Sequence, residues 1–104
     1  MERAELLKRI KATLQEAFGP RLRGVILYGS EARGTAEPDS DIDFLVLLEG
    51  PVDYWEESHK CVRCLYPLVL EWGRPIDAKP VDVKEYEAQV WPLYKSAKEE
   101  GIPA

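Results

Sequence analysis

Two aspartates, Asp41 and Asp43, bracket Ile42 at the start of an apolar run that continues Phe44-Leu45-Val46-Leu47-Leu48. In an extended strand side chains alternate faces, so both carboxylates would share one side, about 7 Å apart at a rise of roughly 3.3 Å per residue. Two carboxylates on one face suit a hard divalent ion such as Mg²⁺, which takes oxygen ligands and leaves positions for water and phosphate. Solubility and turn chemistry would account for Asp41 at a loop end but not for Asp43, whose charge inside a buried run costs free energy unless something positive offsets it. Ten residues separate Asp41 from the upstream pair Gly29-Ser30, with Arg33 one helical turn further on and Ser40 next to Asp41. A glycine lets a ligand approach the backbone, and a helix start offers free N–H groups to an anion. With the Ser30 hydroxyl and the Arg33 guanidinium these are phosphate donors. A surface ion pair of Arg33 with Glu31 or Glu37 is the competing reading of that residue. The whole stretch from Tyr28 to Leu48 reads as a nucleotide site.

The elements that must position these groups can be read from periodicity and punctuation. Leu6, Ile10, Leu14 and Phe18 recur every four residues, which predicts an amphipathic helix stopped by Gly19-Pro20. Gly24 to Tyr28 reads as a strand, and Gly29 to Arg33 as a tight turn into a short helix capped by Ser30. Gly34 to Ser40 is loop by composition, and Ile42 to Leu48 is a central strand covered on both faces. Asp53 with Glu56 looks like a capping box for a second long helix. Its expected buried stripe is Val62, Leu65, Val69 and Trp72, with a kink or division at Pro67 and a stop at Gly73. Ile76 to Val81 is a third strand weakened by Pro80, and Asp82 with Glu85 opens a last helical region that breaks at Trp91-Pro92 and resumes to Gly101. The expectation is an α/β (α+β) fold with a small mixed sheet packed by helices. If the first two strands are antiparallel neighbours, Gly29-Ser30 and Asp41/Asp43 meet.

A chain of 104 residues accommodates one domain spanning 1–104 and not two. Neither an apolar run of membrane-spanning length nor a signal-peptide core is present, and two cysteines, Cys61 and Cys64, do not make a secreted disulfide framework, so a cytoplasmic location is expected. The net charge of −5 disfavours extended contact with nucleic acid and favours a small phosphorylated ligand bound at one local site. His59, Cys61 and Cys64 lack a fourth ligand for zinc and read as ordinary helix positions. Trp55, Trp72, Trp91, Tyr66, Tyr86 and Tyr94 lack basic residues between them and read as core or interface rather than as a stacking platform.

The string Gly29-Ser30, Ala32-Arg33-Gly34-Thr35, Ser40-Asp41 and Asp43 resembles the signature of the polymerase-beta-like nucleotidyltransferase superfamily, and most closely its minimal nucleotidyltransferases. Element order and length fit as well. That resemblance implies transfer of a nucleoside monophosphate, usually AMP from ATP, to an acceptor hydroxyl with two divalent ions, Mg²⁺ or Mn²⁺. Asp41 and Asp43 would carry the ions, and Gly29, Ser30, Arg33 and Ser40 would serve the nucleotide. It also implies a third catalytic and metal-binding carboxylate on a later strand. Asp77 and Asp82 are the candidates; Asp82 has an alternative role as a helix cap, so Asp77 is favoured. The small size points to a macromolecular acceptor, by family analogy a HEPN-domain toxin, which would make this chain an antitoxin. Neutralisation by occlusion and adenylylation of a small molecule such as an antibiotic are the alternatives. A homo- or hetero-oligomer is compatible with either.

Overall fold

The computed structural model describes residues 2–104. Helix α1 spans Arg3–Phe18 and buries the expected stripe Leu6, Ile10, Leu14 and Phe18. It stops at Gly19, whose φ of 58° a side chain would strain. A 3₁₀ turn, Gly19–Arg21, leads into β1, Leu22–Tyr28. The short helix α2, Gly29–Arg33, follows without a break. Strand β2 is Ile42–Leu48, α3 is Tyr54–Trp72 and β3 is Ile76–Asp82. Helices α4, Val83–Glu87, and α5, Pro92–Glu100, precede a two-residue strand β4, Ile102–Pro103. Among the described residues no helix is long and apolar enough to cross a membrane.

The four strands form one mixed sheet in the order β3-β2-β1-β4. β1 pairs antiparallel with β2, as the meeting of the two motifs required, and β2 pairs parallel with β3. One sheet face carries Val25, Leu27, Ile42, Phe44, Val46 and Leu48 and packs against α1 and α3. The other carries Leu45, Leu47 and Val81 beneath Tyr86 of α4 and Ala97 of α5. β2 therefore has hydrophobic cover on both sides, which explains its almost unbroken apolar run. The second cover is smaller and ends near Asp43, which is left half-buried at its margin.

Several expectations are corrected. Of the kink or division expected at Pro67, the division does not occur, since α3 runs through it unbroken; Pro67 lies on the exposed side of the helix, where the carbonyl that loses its bond can be hydrated. The buried stripe of α3 is Glu57, Cys61, Leu65 and Leu68, and Val62 is 68% exposed. Glu57 faces inward because Arg21 ion-pairs with it, and that turns Val62, Tyr66 and Leu70 to solvent. The capping box is also rearranged. Asp53 Oδ1 accepts from Glu56 N at 3.2 Å, but the reciprocal bond, from Asp53 N at 3.1 Å, goes to Glu57 Oε2 and not to Glu56. Ser30 is not a cap, since α2 begins one residue earlier and Tyr28 occupies the cap position. Asp82 does cap α4, through Lys84 N at 2.9 Å and not the Glu85 amide. β4, unforeseen in the sequence, adds to the free edge of β1 and is followed by Ala104 N donating to Val25 O at 2.8 Å. Pro80 sits within β3 at the sheet edge, where a missing N–H is tolerated.

Candidate active site

Register decides which polar residues meet. Tyr28 stands opposite Asp43 on β1 and β2, and Asp43 stands opposite Asp77 on β2 and β3. Side chains on paired residues point to the same face, so Tyr28, Asp43 and Asp77 form a row across three strands on the face of the smaller core. Ile26, Leu45 and Lys79 form the next row. Asp82 lies opposite Leu48, about 16 Å along the strand from Asp77 at the usual rise. The structure thus brings Asp77 to Asp43 and leaves Asp82 at the far end of β3, capping α4.

Gly29 closes the row from above. Its φ is 76°, and a Cβ there would stand 2.7 Å from Asp43 Oδ2. Only glycine leaves room for the carboxylate under the turn, which is a close approach as well as a backbone requirement. The Ser30 hydroxyl makes no hydrogen bond among the described residues, while its carbonyl accepts from Thr35 N at 2.9 Å and holds the end of the α2 turn. Arg33 is half exposed and stands 3.9 Å from Glu100 of α5, not beside Glu31 or Glu37. Ser40 is spent on structure: its Oγ accepts from Glu37 N at 2.9 Å and its carbonyl accepts from Arg74 Nε at 3.1 Å. Asp41, just before β2, is exposed.

Burial pushes the Asp43 carboxyl above the ordinary carboxylate range; the Lys79 ammonium pulls it back, Asp77 and Asp41 push it up, and Arg33 draws it down. Lys79 Nζ donates to Asp77 Oδ2 at 2.6 Å and to Tyr28 Oη at 3.1 Å. Burial, the largest single effect, would lower the Lys79 ammonium, but the two hydrogen bonds together with the charges of Tyr28 and Asp77 outweigh it and leave it raised. Tyr28 is itself raised, chiefly by burial, with the Lys79 hydrogen bond opposing.

Two residues of this neighbourhood were missed in the sequence. Arg74 joins Ser40 O to Glu31 Oε2, the latter at 3.2 Å, and so ties α2 to the segment before β2. Nothing in the sequence links positions so far apart. Lys79 is different: alternation along β3 from Asp77 is the local signal that places it on the carboxylate face.

The donor set suits an oxygen-preferring divalent ion. Asp41 and Asp43 offer hard oxygens, and Asp43 is a partly desolvated carboxylate with no hydrogen bond or ion pair among the described residues. Among those residues, however, no three His, Cys, Asp or Glu side chains are gathered as a cation-holding group, and the Asp77 carboxylate is engaged by Lys79. The fit is therefore to a carboxylate pair with a third carboxylate held in reserve.

The nucleotidyltransferase domain family matches this chain over residues 7–103. The chain belongs to that family. A candidate protein adenylyltransferase of Methanocaldococcus jannaschii is 28% identical over 102 residues, covering 97% of this chain and 96% of its own length. Among solved structures, a candidate minimal nucleotidyltransferase superposes with a TM-score of 0.62 at 28% identity, covering 100% of this chain and 97% of that one. A toxin-antitoxin structure with AMP-PNP has a TM-score of 0.57 at 24% identity over 92% of this chain and 70% of that one, a likeness of fold. The match to this nucleotidyltransferase domain runs from within α1 through β4, including the row that β1, β2 and β3 assemble.

Proposed function

We propose that this nucleotidyltransferase transfers AMP from ATP to a hydroxyl of a partner protein, with Mg²⁺ or Mn²⁺ held by Asp41 and Asp43 and joined by Asp77. The observation that carries the reading is the row Tyr28–Asp43–Asp77 beneath Gly29, whose missing side chain admits the Asp43 carboxylate. Asp41, Asp43 and Asp77 are the catalytic carboxylates; Gly29 and Ser30 take the β- and γ-phosphates, and Arg33 answers their charge. The Ser40 turn fixes the approach of the loop. Divalent ions bound at these carboxylates would lower the pKa of the attacking hydroxyl and stabilise charge on the leaving oxygens.

In the transfer, the acceptor oxygen attacks the α-phosphorus, the bond to the β-phosphate bridging oxygen breaks, and pyrophosphate departs. The hydroxyl proton passes to Asp77 or to water. The chain contributes mainly position and electrostatics: Gly29 permits approach, Ser30 orients the tail, and the carboxylates fix where positive charge collects. The name of the archaeal relative supports a protein acceptor, and the toxin-antitoxin neighbour is in keeping with an antitoxin role; a HEPN-domain toxin as the acceptor and a cytoplasmic setting for the pair complete the proposal by family analogy.

Incubation with ATP labelled on the α-phosphate, Mg²⁺ and a HEPN-domain protein encoded beside this chain tests the reading. Label should pass to the partner and be lost with Asp41→Asn plus Asp43→Asn. Neutralisation of the partner that survives that double change, with no label transferred by the unaltered chain, would replace catalysis with occlusion.

A further inference from the structure

We propose that Lys79 is a resident cation of the site, a positioning residue that holds Asp77 out of the metal set until substrate arrives, so that the free protein takes up one divalent ion and not two. This rests on the carboxylate roles proposed above. Lys79 is two residues beyond Asp77 on β3, on the same face and opposite Leu45. Its Nζ reaches back to Asp77 Oδ2 at 2.6 Å and across the sheet to Tyr28 Oη at 3.1 Å, and it lies 5.9 Å from the centre of the Tyr28 ring. Those contacts span the row in which Asp43 is the middle member.

The consequence is electrostatic. Asp41, Asp43 and Asp77 gather like charge on one sheet end, and unpaired carboxylates at such distances repel. One ammonium offsets one of them, and what remains is the charge that a single divalent ion neutralises. The ion goes to Asp41 and Asp43, since neither carboxylate makes a hydrogen bond or ion pair among the described residues, whereas Asp77 is engaged by Lys79. A second ion has to displace Lys79 from Asp77, competing with a hydrogen-bonded ion pair and bringing positive charge beside an ammonium. A nucleoside triphosphate changes the balance because its own oxygens supply both ligands and negative charge, and the released ammonium then has phosphate oxygens to meet. Tyr28 gives Lys79 a second anchor, which keeps the ammonium over the row and not free in solvent.

Mn²⁺ titration of the nucleotide-free protein, followed by the paramagnetic resonance signal of free Mn²⁺, reads this without any turnover. The unaltered chain should bind one Mn²⁺, with any second at least tenfold weaker. Lys79→Met should bind two of similar affinity, and Lys79→Met combined with Asp77→Asn should return to one. Lys79→Gln gives the same comparison if the methionine variant fails to fold, with circular dichroism reporting folding. One Mn²⁺ in both the unaltered and Lys79 variants, or two in both, overturns the role of Lys79 while leaving the Asp41/Asp43 site standing. No Mn²⁺ bound by any folded form overturns the carboxylate site itself, and this inference with it.

Discussion

Asp43 is the residue at which stability and the proposed chemistry oppose each other. Its folded-state pKa is raised, first of all by burial, so the fold prefers it protonated. The contribution it makes to stability is full below the unfolded carboxylate pKa and is lost as pH rises through the higher folded value. At neutral pH a charged, half-buried Asp43 therefore destabilises the free protein. Asp43→Asn removes that charge in nearly the same volume and should raise Tm at pH 7, in chelator, by roughly 2–4 °C, the equivalent of about 0.5 kcal/mol in a domain this size after allowance for solvent screening. The gain should fade below about pH 3, where the aspartate is protonated in both states. Thermal melts of both proteins across that range check it; a lower Tm at pH 7 for the variant would mean that the ionised carboxylate is a net stabiliser. The same residue was the most legible in the sequence, because an aspartate inside an apolar strand has no inexpensive structural explanation. Arg33 was less legible: its pairing with Glu100 depends on where α5 lies, which residues 29–43 do not encode.

Among the elements, the segment from α2 to β2 depends on a residue outside it. Arg74, between α3 and β3, holds Ser40 O and Glu31 Oε2 with a side chain only 15% exposed. It also precedes Pro75, whose carbonyl accepts from Ile42 N at 2.9 Å, so the entry to β3 and the Asp41 turn are fixed together. Arg74→Ala leaves the similarly buried Glu31 without its cation and should cost roughly 1–3 kcal/mol. The measurements are denaturant unfolding and hydrogen exchange, with protection lost first at Ile42 and Asp43. Arg74→Lys should recover only part of the loss, because both contacts come from one planar guanidinium. Equal stability and protection in Arg74→Ala would show the clamp to be incidental. Element types and order were readable because hydrophobic period and Gly/Pro punctuation are local. The facing of α3 was not, since it depends on Arg21 neutralising Glu57 from another part of the chain. β4 escaped because two residues have no period, and its strand character comes from the free edge of β1 alone.

For the whole molecule, the division of the two hydrophobic clusters does the positioning. The larger, between the sheet and α1 with α3, fixes β1, β2 and β3 as a platform; the smaller, under α4 and α5, stops short and leaves one end of the other face open. The open end holds the Tyr28–Asp43–Asp77 row, with Gly29 and Ser30 at the turn above it and Asp41 at the start of β2. That open end is the face on which the proposed transfer to a partner protein would take place. A hollow of about 590 Å³ lined by Arg21, Trp55, Glu57 and His59 lies by the start of α3 and contains none of the three carboxylates. The central claim, that three strand ends and α2 make one metal-dependent nucleotide site, is tested most directly by calorimetry of ATP binding with and without Mg²⁺ in the unaltered chain and in Asp43→Asn. The account predicts Mg²⁺-dependent binding that weakens roughly 10–100-fold or disappears in the variant. Equal binding by both proteins, or binding indifferent to Mg²⁺, would contradict it.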